Sequence, residues 1–173
     1  MKIAVSINTA WNIYNFRRGL IKTLLNQGHQ VFAIAPKDEY TPKIEALGVR
    51  FLHVFLDQKG ISPARDLSLI HQYYKIFKLI KPDLVLSYTI KPNIYGNIAA
   101  RLLNISTINN ISGLGTIFIK QNAISLVGRM LYTIGLSSSQ HVFFQNKEDR
   151  EMFVRLRIVK KTKTSIIPGS GVD

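Results

Sequence analysis

Apolar residues follow two patterns that alternate along the chain. Short runs of β-branched and other apolar residues, typical of buried strands, occur at Lys2–Ile7, Gln30–Ala35, Arg50–Phe55, Leu84–Ser87, Thr107–Asn110, His141–Gln145 and Thr164–Ile167. Between these runs, apolar residues three or four positions apart predict helices at Tyr14–Gln27, Thr41–Leu47, Leu67–Ile80, Asn93–Leu103, Ala123–Leu136 and Lys147–Leu156. Strands that alternate with helices predict a Rossmann-like, doubly wound α/β domain with a mainly parallel sheet.

Composition narrows the class of protein. The chain has 173 residues, 46% of them hydrophobic, and a mean hydropathy of +0.09, which together indicate one folded domain. The absence of cysteine excludes disulfides and thiolate metal sites and fits a reducing cytoplasm. The most apolar segment, Ala123–Leu136, is interrupted by Ser125, Gly128 and Arg129 and is shorter than the roughly 18 apolar residues of a membrane span. We therefore expect a soluble or peripheral protein.

The charge balance points to an anionic partner. With 23 Lys and Arg against 10 Asp and Glu, the formal net charge is +13. Nucleic acid, an anionic membrane surface and phosphorylated ligands could all explain this excess, as could solvated surface lysines alone. A nucleic-acid module should interleave basic residues with exposed aromatics or carry a recognition helix. Neither pattern stands out, so nucleic acid is not the expected partner.

Polar residues follow the first predicted strand, at the edge of a parallel sheet where ligands bind. Asn8, Thr9 and Asn12 suit sugar hydroxyls, and Trp11 offers an apolar platform for a sugar face or simply covers the edge of the sheet. The first turns of the next helix carry Arg17, which could bind phosphate through two hydrogen bonds.

The loops after strands four and five should meet the first loop. Tyr88 and Thr89 follow strand four, and Lys91 is held by Pro92 and followed by Asn93, which we interpret as a helix N-cap. Lys91 is then either an anion contact or a surface lysine. After strand five, Gly113 and Gly115 would permit close backbone approach to a phosphate or sugar, although such glycines often serve only the turn.

Several kinds of site are missing from the sequence. The first loop lacks G-x-G-x-x-G, and Trp11 would obstruct a pyrophosphate there, which argues against a dinucleotide dehydrogenase. There is no P-loop, no G-x-S-x-G nucleophile elbow and no cluster with metal-ligand spacing. The sequence therefore predicts neither a metal site nor an identifiable catalytic residue.

Several stretches, taken together, resemble family 4 glycosyltransferases. They are Ile13–Arg17, Gly28–Val31, Ala35–Tyr40, Thr89–Gly96, Gly113–Gly115 and Pro168–Asp173. The closest likeness is to the bacterial members that extend lipid-linked oligosaccharides or capsular repeat units. Many family members have a Gly-rich loop after strand one and a histidine after strand four. This chain has Thr9-Ala10-Trp11 and Tyr88-Thr89-Ile90-Lys91 instead, so no catalytic base can be assigned.

The resemblance implies one half of a GT-B fold, in which two Rossmann-like domains face each other across a cleft. Residues 1–167 would be the N-terminal acceptor-binding domain. Residues 168–173, with Gly169, Ser170 and Gly171, would begin the linker to an absent C-terminal domain that binds the UDP-sugar. The fragment alone should be inactive.

The resemblance also implies what the full-length enzyme does. It would be a retaining hexosyl- or N-acetylhexosaminyltransferase without a cofactor. It would act on a lipid-diphosphate-linked saccharide in surface polysaccharide or capsule synthesis, at the cytoplasmic face of the cell membrane. Helix Ala123–Leu136 could lie in the membrane interface or face the core. A sugar-nucleotide epimerase of the same architecture and a basic nucleic-acid-binding module remain alternatives.

Overall fold

The computed structural model describes residues 1–57, 62–113, 123–167 and 169. The strands are β1 (Lys2–Ser6), β2 (Gln30–Ala35), β3 (Arg50–His53), β4 (Leu84–Tyr88), β5 (Ser106–Ile111), β6 (His141–Phe144) and β7 (Thr164–Ile166). The α-helices are α1 (Ala10–Asn26), α2 (Thr41–Glu45), α3 (Pro63–Ile80), α4 (Asn97–Leu102), α5 (Ala123–Leu136) and α6 (Lys147–Arg155). A π-helical turn, Pro92–Gly96, leads into α4, and a short 3₁₀ turn, Lys161–Lys163, precedes β7.

All seven strands form one parallel sheet in the order β3-β2-β1-β4-β5-β6-β7. The predicted doubly wound α/β fold is confirmed. Strand β1 lies between β2 and β4, so the chain winds outward from β1 in one direction and later returns beside it to wind in the other. The carboxyl ends of β1 and β4 therefore flank the topological switch point, where open α/β sheets bind their ligands.

Two apolar clusters cover the two faces of the sheet. Neighbouring residues on β1 point to opposite faces, with Ala4 in one cluster and Val5 in the other. The smaller cluster includes Ile13 of α1 and Ile44 of α2, and the larger one contains buried residues of α3, α5 and α6. Helices on both faces exclude water from a sheet whose central strands are apolar on each side.

Helix α1 begins earlier than its apolar spacing predicted, at Ala10 instead of Tyr14. Thr9 is the N-cap, and its Oγ1 accepts a hydrogen bond from the Asn12 backbone N–H at 3.0 Å. Trp11 and Asn12 therefore lie in the first helical turn and not in a loop. Helix α3 also begins earlier, at Pro63 instead of Leu67, because proline is favoured in a first turn.

The prediction that Asn93 is an N-cap was wrong. Asn93 lies inside the π-helical turn, almost fully buried, and its side-chain amide donates to the Asn110 carbonyl at 2.9 Å. Its Oδ1 accepts a hydrogen bond from Asn109 at 2.8 Å, and Asn109 in turn accepts one from Asn97 at 3.0 Å. These amides replace the capping role with a buried network that fixes the helix against β5.

Candidate functional site

The centre of the site lies where β1, β4 and β5 end. A cavity of about 260 Å³ is lined by Asn8 after β1, Thr89 and Lys91 after β4, and Ser112 and Gly113 after β5. Gly113 has a φ of 150°, a conformation that side chains disfavour. The structure thus brings together residues that the sequence predicted would converge.

A smaller cavity of about 170 Å³ adjoins the first towards α1 and shares Thr89 and Ser112 with it. Asn12, Arg17 and Tyr88 complete its polar and aromatic lining. The Asn12 side-chain amide donates to Asn8 Oδ1 at 2.8 Å, so two predicted site residues orient each other across the boundary between the cavities.

Two further cavities extend this central region in opposite directions. On the α1 side, a cavity of about 230 Å³ shares Arg17 and Tyr88 and adds Arg18, Asn110 and Gly169. On the α3 side, a cavity of about 460 Å³ shares Lys91 with the centre. We call the four neighbouring cavities, which share lining residues, the edge groove, with an α1 end and an α3 end. It follows the carboxyl edge of the sheet, as expected for an α/β binding site.

Arg17 is a fixed cation in the groove. It is only 8% exposed, its guanidinium lies 4.2 Å from the centroid of the Tyr88 ring, and its Nη1 donates to the Phe16 carbonyl at 2.8 Å. Burial lowers the pKa of Arg17 and the neighbouring Tyr88 opposes that shift, but an arginine titrates so far above neutral pH that it stays charged. A planar cation stacked on an aromatic ring is well suited to hold a phosphate in one orientation.

Asn110 is a candidate site residue that the sequence pattern did not indicate. Its Oδ1 is buried and has no hydrogen-bond partner among the described residues, while the residue lines the cavity of Arg17 and Tyr88. An unsatisfied buried acceptor costs about 1–3 kcal/mol, which a ligand donor could recover. The position of Asn110 near the carboxyl end of a strand could have indicated a site residue. The apolar pattern, however, assigned Asn110 only to the strand.

Thr89 occupies a strained position at the middle of the groove. Its φ is 61°, in the left-handed region, where a β-branched residue costs on the order of 1–2 kcal/mol. Its Oγ1 donates to the Tyr88 carbonyl at 2.6 Å, and its own carbonyl accepts from the Asn93 N–H at 3.1 Å. This geometry turns the chain sharply from β4 into the next helix and presents Thr89 to both central cavities.

Lys91 is not the surface lysine that the sequence left open as one alternative, because it is buried and paired with a carboxylate. Its Nζ lies 2.9 Å from Asp66 Oδ1, and the two side chains are 13% and 7% exposed. Asp66 Oδ2 also accepts the Ser62 N–H at 3.2 Å. Burial, and then a hydrogen bond to Asp66, raise the pKa of the adjacent Tyr95 hydroxyl. Lys91 lines the groove as half of a buried ion pair, so its charge is largely compensated.

The remaining predicted site residues lie around the edge groove or outside the residues that the structure describes. Trp11 is 44% exposed, and its ring lies edge-on to the Phe16 ring with the centroids 5.4 Å apart. The Trp11 backbone N–H donates to Asp38 Oδ2 at 2.9 Å. Thr9 acts as the α1 cap, and Asn93 lies buried beneath the site. Gly115, Ser170 and Gly171 lie outside the described residues, whereas Gly169 lines the α1 end.

Two absences hold for the described part of the chain. It contains no group of His, Asp or Glu side chains able to hold a metal ion. None of its helices combines the length and the apolar character needed to cross a bilayer.

Residues 2–146 match the family described as glycosyl transferase 4-like. The chain belongs to this family. Among curated relatives, this glycosyl transferase 4-like chain is 28% identical over 178 aligned positions to the N,N'-diacetylbacillosaminyl-diphospho-undecaprenol alpha-1,3-N-acetylgalactosaminyltransferase of Campylobacter jejuni, covering 100% of the chain and 47% of the relative. It is also 28% identical over 116 residues to the UDP-Gal:alpha-D-GlcNAc-diphosphoundecaprenol alpha-1,3-galactosyltransferase of Escherichia coli, covering 66% of the chain and 30% of the relative. The chain thus spans half or less of the length of these relatives.

Solved structures support the same fold for the glycosyl transferase 4-like chain. A glycosyltransferase from Rickettsia africae superimposes with a TM-score of 0.70 at 13% identity, covering 96% of the chain and 42% of that protein. UDP-GlcNAc 2-epimerase from Methanocaldococcus jannaschii gives a TM-score of 0.67 at 16% identity, covering 96% and 45%. Such low identities establish only the shared architecture, one half of a GT-B fold. The family and the curated relatives favour the glycosyltransferase reading over the epimerase one.

Proposed function

We propose that this chain is the acceptor-binding half of a retaining glycosyltransferase that moves a sugar from a UDP-sugar to a lipid-diphosphate-linked saccharide. The family membership, and the undecaprenol-linked diphosphates in the names of both curated relatives, support this proposal. Residues 1–167 form the acceptor domain in this proposal, and residues from 168 onward lead to a second domain that binds the donor. The chain alone then transfers no sugar.

The observation that carries the proposal is the α1 end of the edge groove. One cavity is lined by Arg17, which is stacked on Tyr88, and by Asn110, whose Oδ1 has no hydrogen-bond partner in the described part of the chain. Within the described lining of that cavity, Arg17 and Arg18 are the charged residues, and both are cations. The guanidinium groups of Arg17 and Arg18 can donate hydrogen bonds to a diphosphate, and an adjoining hydroxyl or amide of the ligand can donate one to Asn110.

The central cavities then hold the first sugar of the acceptor. Asn8 and Asn12 present amide groups whose mutual hydrogen bond fixes their orientation, and Ser112 and Thr89 add polar groups to the lining of both cavities. Such polar groups around a small cavity can hold a sugar ring and exclude water from one side of that ring. The chain contributes orientation of the acceptor, while the donor domain completes the reaction centre.

We place the protein at the anionic inner surface of the cell membrane, as a peripheral protein. Its net charge of +13 favours such a surface, since each Lys or Arg near an anionic leaflet contributes about 1 kcal/mol. Helix α5 exposes Leu126, Val127, Met130 and Ile134 to solvent. The sequence has no Asp or Glu between Asp83 and Glu148, so the segment that carries α5 adds no negative charge.

The test measures binding of a soluble acceptor analogue to this chain. The probe is GlcNAc linked to farnesyl diphosphate, with UDP as the competing source of a diphosphate. Replacing Arg17→Gln should weaken probe binding about 10- to 100-fold, because a charged hydrogen bond is lost. Asn110→Leu should weaken it less. The matched control Arg50→Gln, at the opposite edge of the sheet, should leave binding unchanged.

The outcomes separate the two diphosphate sources. Loss of probe binding in Arg17→Gln, with circular dichroism unchanged and with no UDP binding by the parent chain, supports the proposal. If Arg17→Gln does not fold, Asn110→Leu carries the same comparison. Arg17-dependent binding of UDP in place of the lipid probe would assign the cavity to the donor and overturn the acceptor assignment.

A further inference from the structure

The α3 end of the groove is its largest cavity and differs chemically from the rest. Phe55 stands at its rim, 75% exposed, with its ring edge-on to His53 at 4.3 Å. The Phe55 backbone N–H donates to Gln72 Oε1 at 2.8 Å, which fixes the rim residue against α3. An aromatic ring held in place but left exposed beside a cavity offers a flat apolar surface to a ligand.

The charges lining this cavity cancel. Arg65 lies 2.6 Å from Asp57, Lys91 lies 2.9 Å from Asp66, and these are the charged residues in its described lining. The α1 end, by contrast, has only cations in its described lining. The proposed function accordingly places the diphosphate at the α1 end and not at the α3 end. The α3 end suits a neutral ligand rich in hydroxyl groups, which paired carboxylate and guanidinium groups can bind on both sides.

We propose that the α3 end binds a second sugar ring of the acceptor, so that the preferred acceptor is a lipid diphosphate carrying at least two sugars. This inference rests on the proposed function. The diphosphate lies at Arg17, the first sugar lies between Asn8 and Thr89, and the second sugar packs on Phe55 with its hydroxyls towards Asp57 and Arg65. The Lys91–Asp66 pair lies between the last two positions, since Lys91 lines both cavities.

The experiment compares acceptor analogues of two lengths on this chain. One probe is farnesyl diphosphate carrying a single GlcNAc. The others carry a disaccharide whose first ring is GlcNAc and whose second ring is glucose, galactose, GlcNAc or GalNAc. At least one disaccharide should bind about tenfold more tightly than the monosaccharide, the gain expected from one aromatic contact. Phe55→Ala should remove this gain and leave monosaccharide affinity unchanged.

Two further variants serve as controls. Phe55→Tyr keeps an aromatic face and should retain the gain. Leu79→Ala removes an exposed apolar side chain of α3 that does not line the cavity and should change neither affinity. If no disaccharide binds more tightly than the monosaccharide, or if Phe55→Ala weakens both equally, the second-sugar site is wrong. The proposed function would still stand if the monosaccharide probe binds through Arg17, so the two failures can be told apart.

Discussion

At the scale of single residues, the buried ion pair of Lys91 and Asp66 sets the net charge at the middle of the edge groove. Taking both charges out of water is costly, and it is tolerated because the carboxylate is hydrogen-bonded on both oxygens, by Lys91 Nζ and by the Ser62 N–H. The pair holds an ammonium group in one place without adding net charge. Removing one partner would leave the other buried and uncompensated.

We therefore expect Asp66→Asn and Lys91→Met each to destabilise the fold by about 3–5 kcal/mol. The double variant Asp66→Asn/Lys91→Met should recover most of that loss, because no buried charge remains. Asp57→Asn, which breaks the more exposed pair with Arg65, should cost less than about 1 kcal/mol and serves as the control. Urea unfolding followed by circular dichroism measures all four. Single variants that unfold like the parent chain would contradict the compensating role.

Sequence alone could place the groove residues but not their partners. Asn8, Thr89 and Gly113 follow strands, and parallel strands bring their carboxyl ends to one edge, so their convergence follows from topology. Asp66 reaches Lys91 from a helix 25 positions earlier, and no local pattern connects the two. The same holds for Asn110: that its Oδ1 has no partner among the described residues shows only when the surrounding atoms are placed.

At the scale of elements, the π-helical turn Pro92–Gly96 positions the site. It follows Thr89 and Lys91 and is anchored by Asn93 to β5. Helix α5 packs against it closely: a Cβ built on Gly135 would lie 2.9 Å from Ile94 Cα and 3.1 Å from the Asn93 carbonyl oxygen. The apolar spacing predicted a helix at Asn93–Leu103 but carried no sign of the π-helical turn, because one inserted residue does not disturb a short apolar stripe.

Gly135→Ala should destabilise the chain by about 1–3 kcal/mol, although alanine is normally favoured within a helix. The added methyl group meets backbone atoms, which cannot rotate away as a side chain could. Thr133→Ala, at an exposed position of the same helix, is the control and should change stability by less than about 0.5 kcal/mol. Thermal unfolding of the two variants provides the measurement. A Gly135→Ala chain more stable than the parent would show that α5 and the π-helical turn are not in close contact.

At the scale of the whole molecule, the winding of the sheet separates two surfaces. The groove lies along the carboxyl edge, at the switch between β1 and β4, while α5 lies on one face of the sheet. The sequence left open whether α5 faces the core or a membrane. In the structure one side of it, with Tyr132 and Leu136, is buried, and the other side exposes Leu126 and Met130. Periodicity could show that the helix is apolar all round but not which of its apolar side chains are exposed in the described structure.

This exposed side leads to a prediction about membrane binding. The chain should sediment with vesicles that contain phosphatidylglycerol, and Leu126→Ser/Met130→Ser should weaken that binding at least tenfold, since each buried apolar side chain contributes about 1.5–3 kcal/mol. Leu79→Ser, which removes an exposed apolar side chain of α3, is the control. Raising the salt concentration should weaken binding of the parent chain, because its net charge of +13 is screened. Equal binding of the parent and the double variant would exclude α5 as the membrane contact, and equal binding to vesicles of phosphatidylcholine alone would exclude the electrostatic part of the argument.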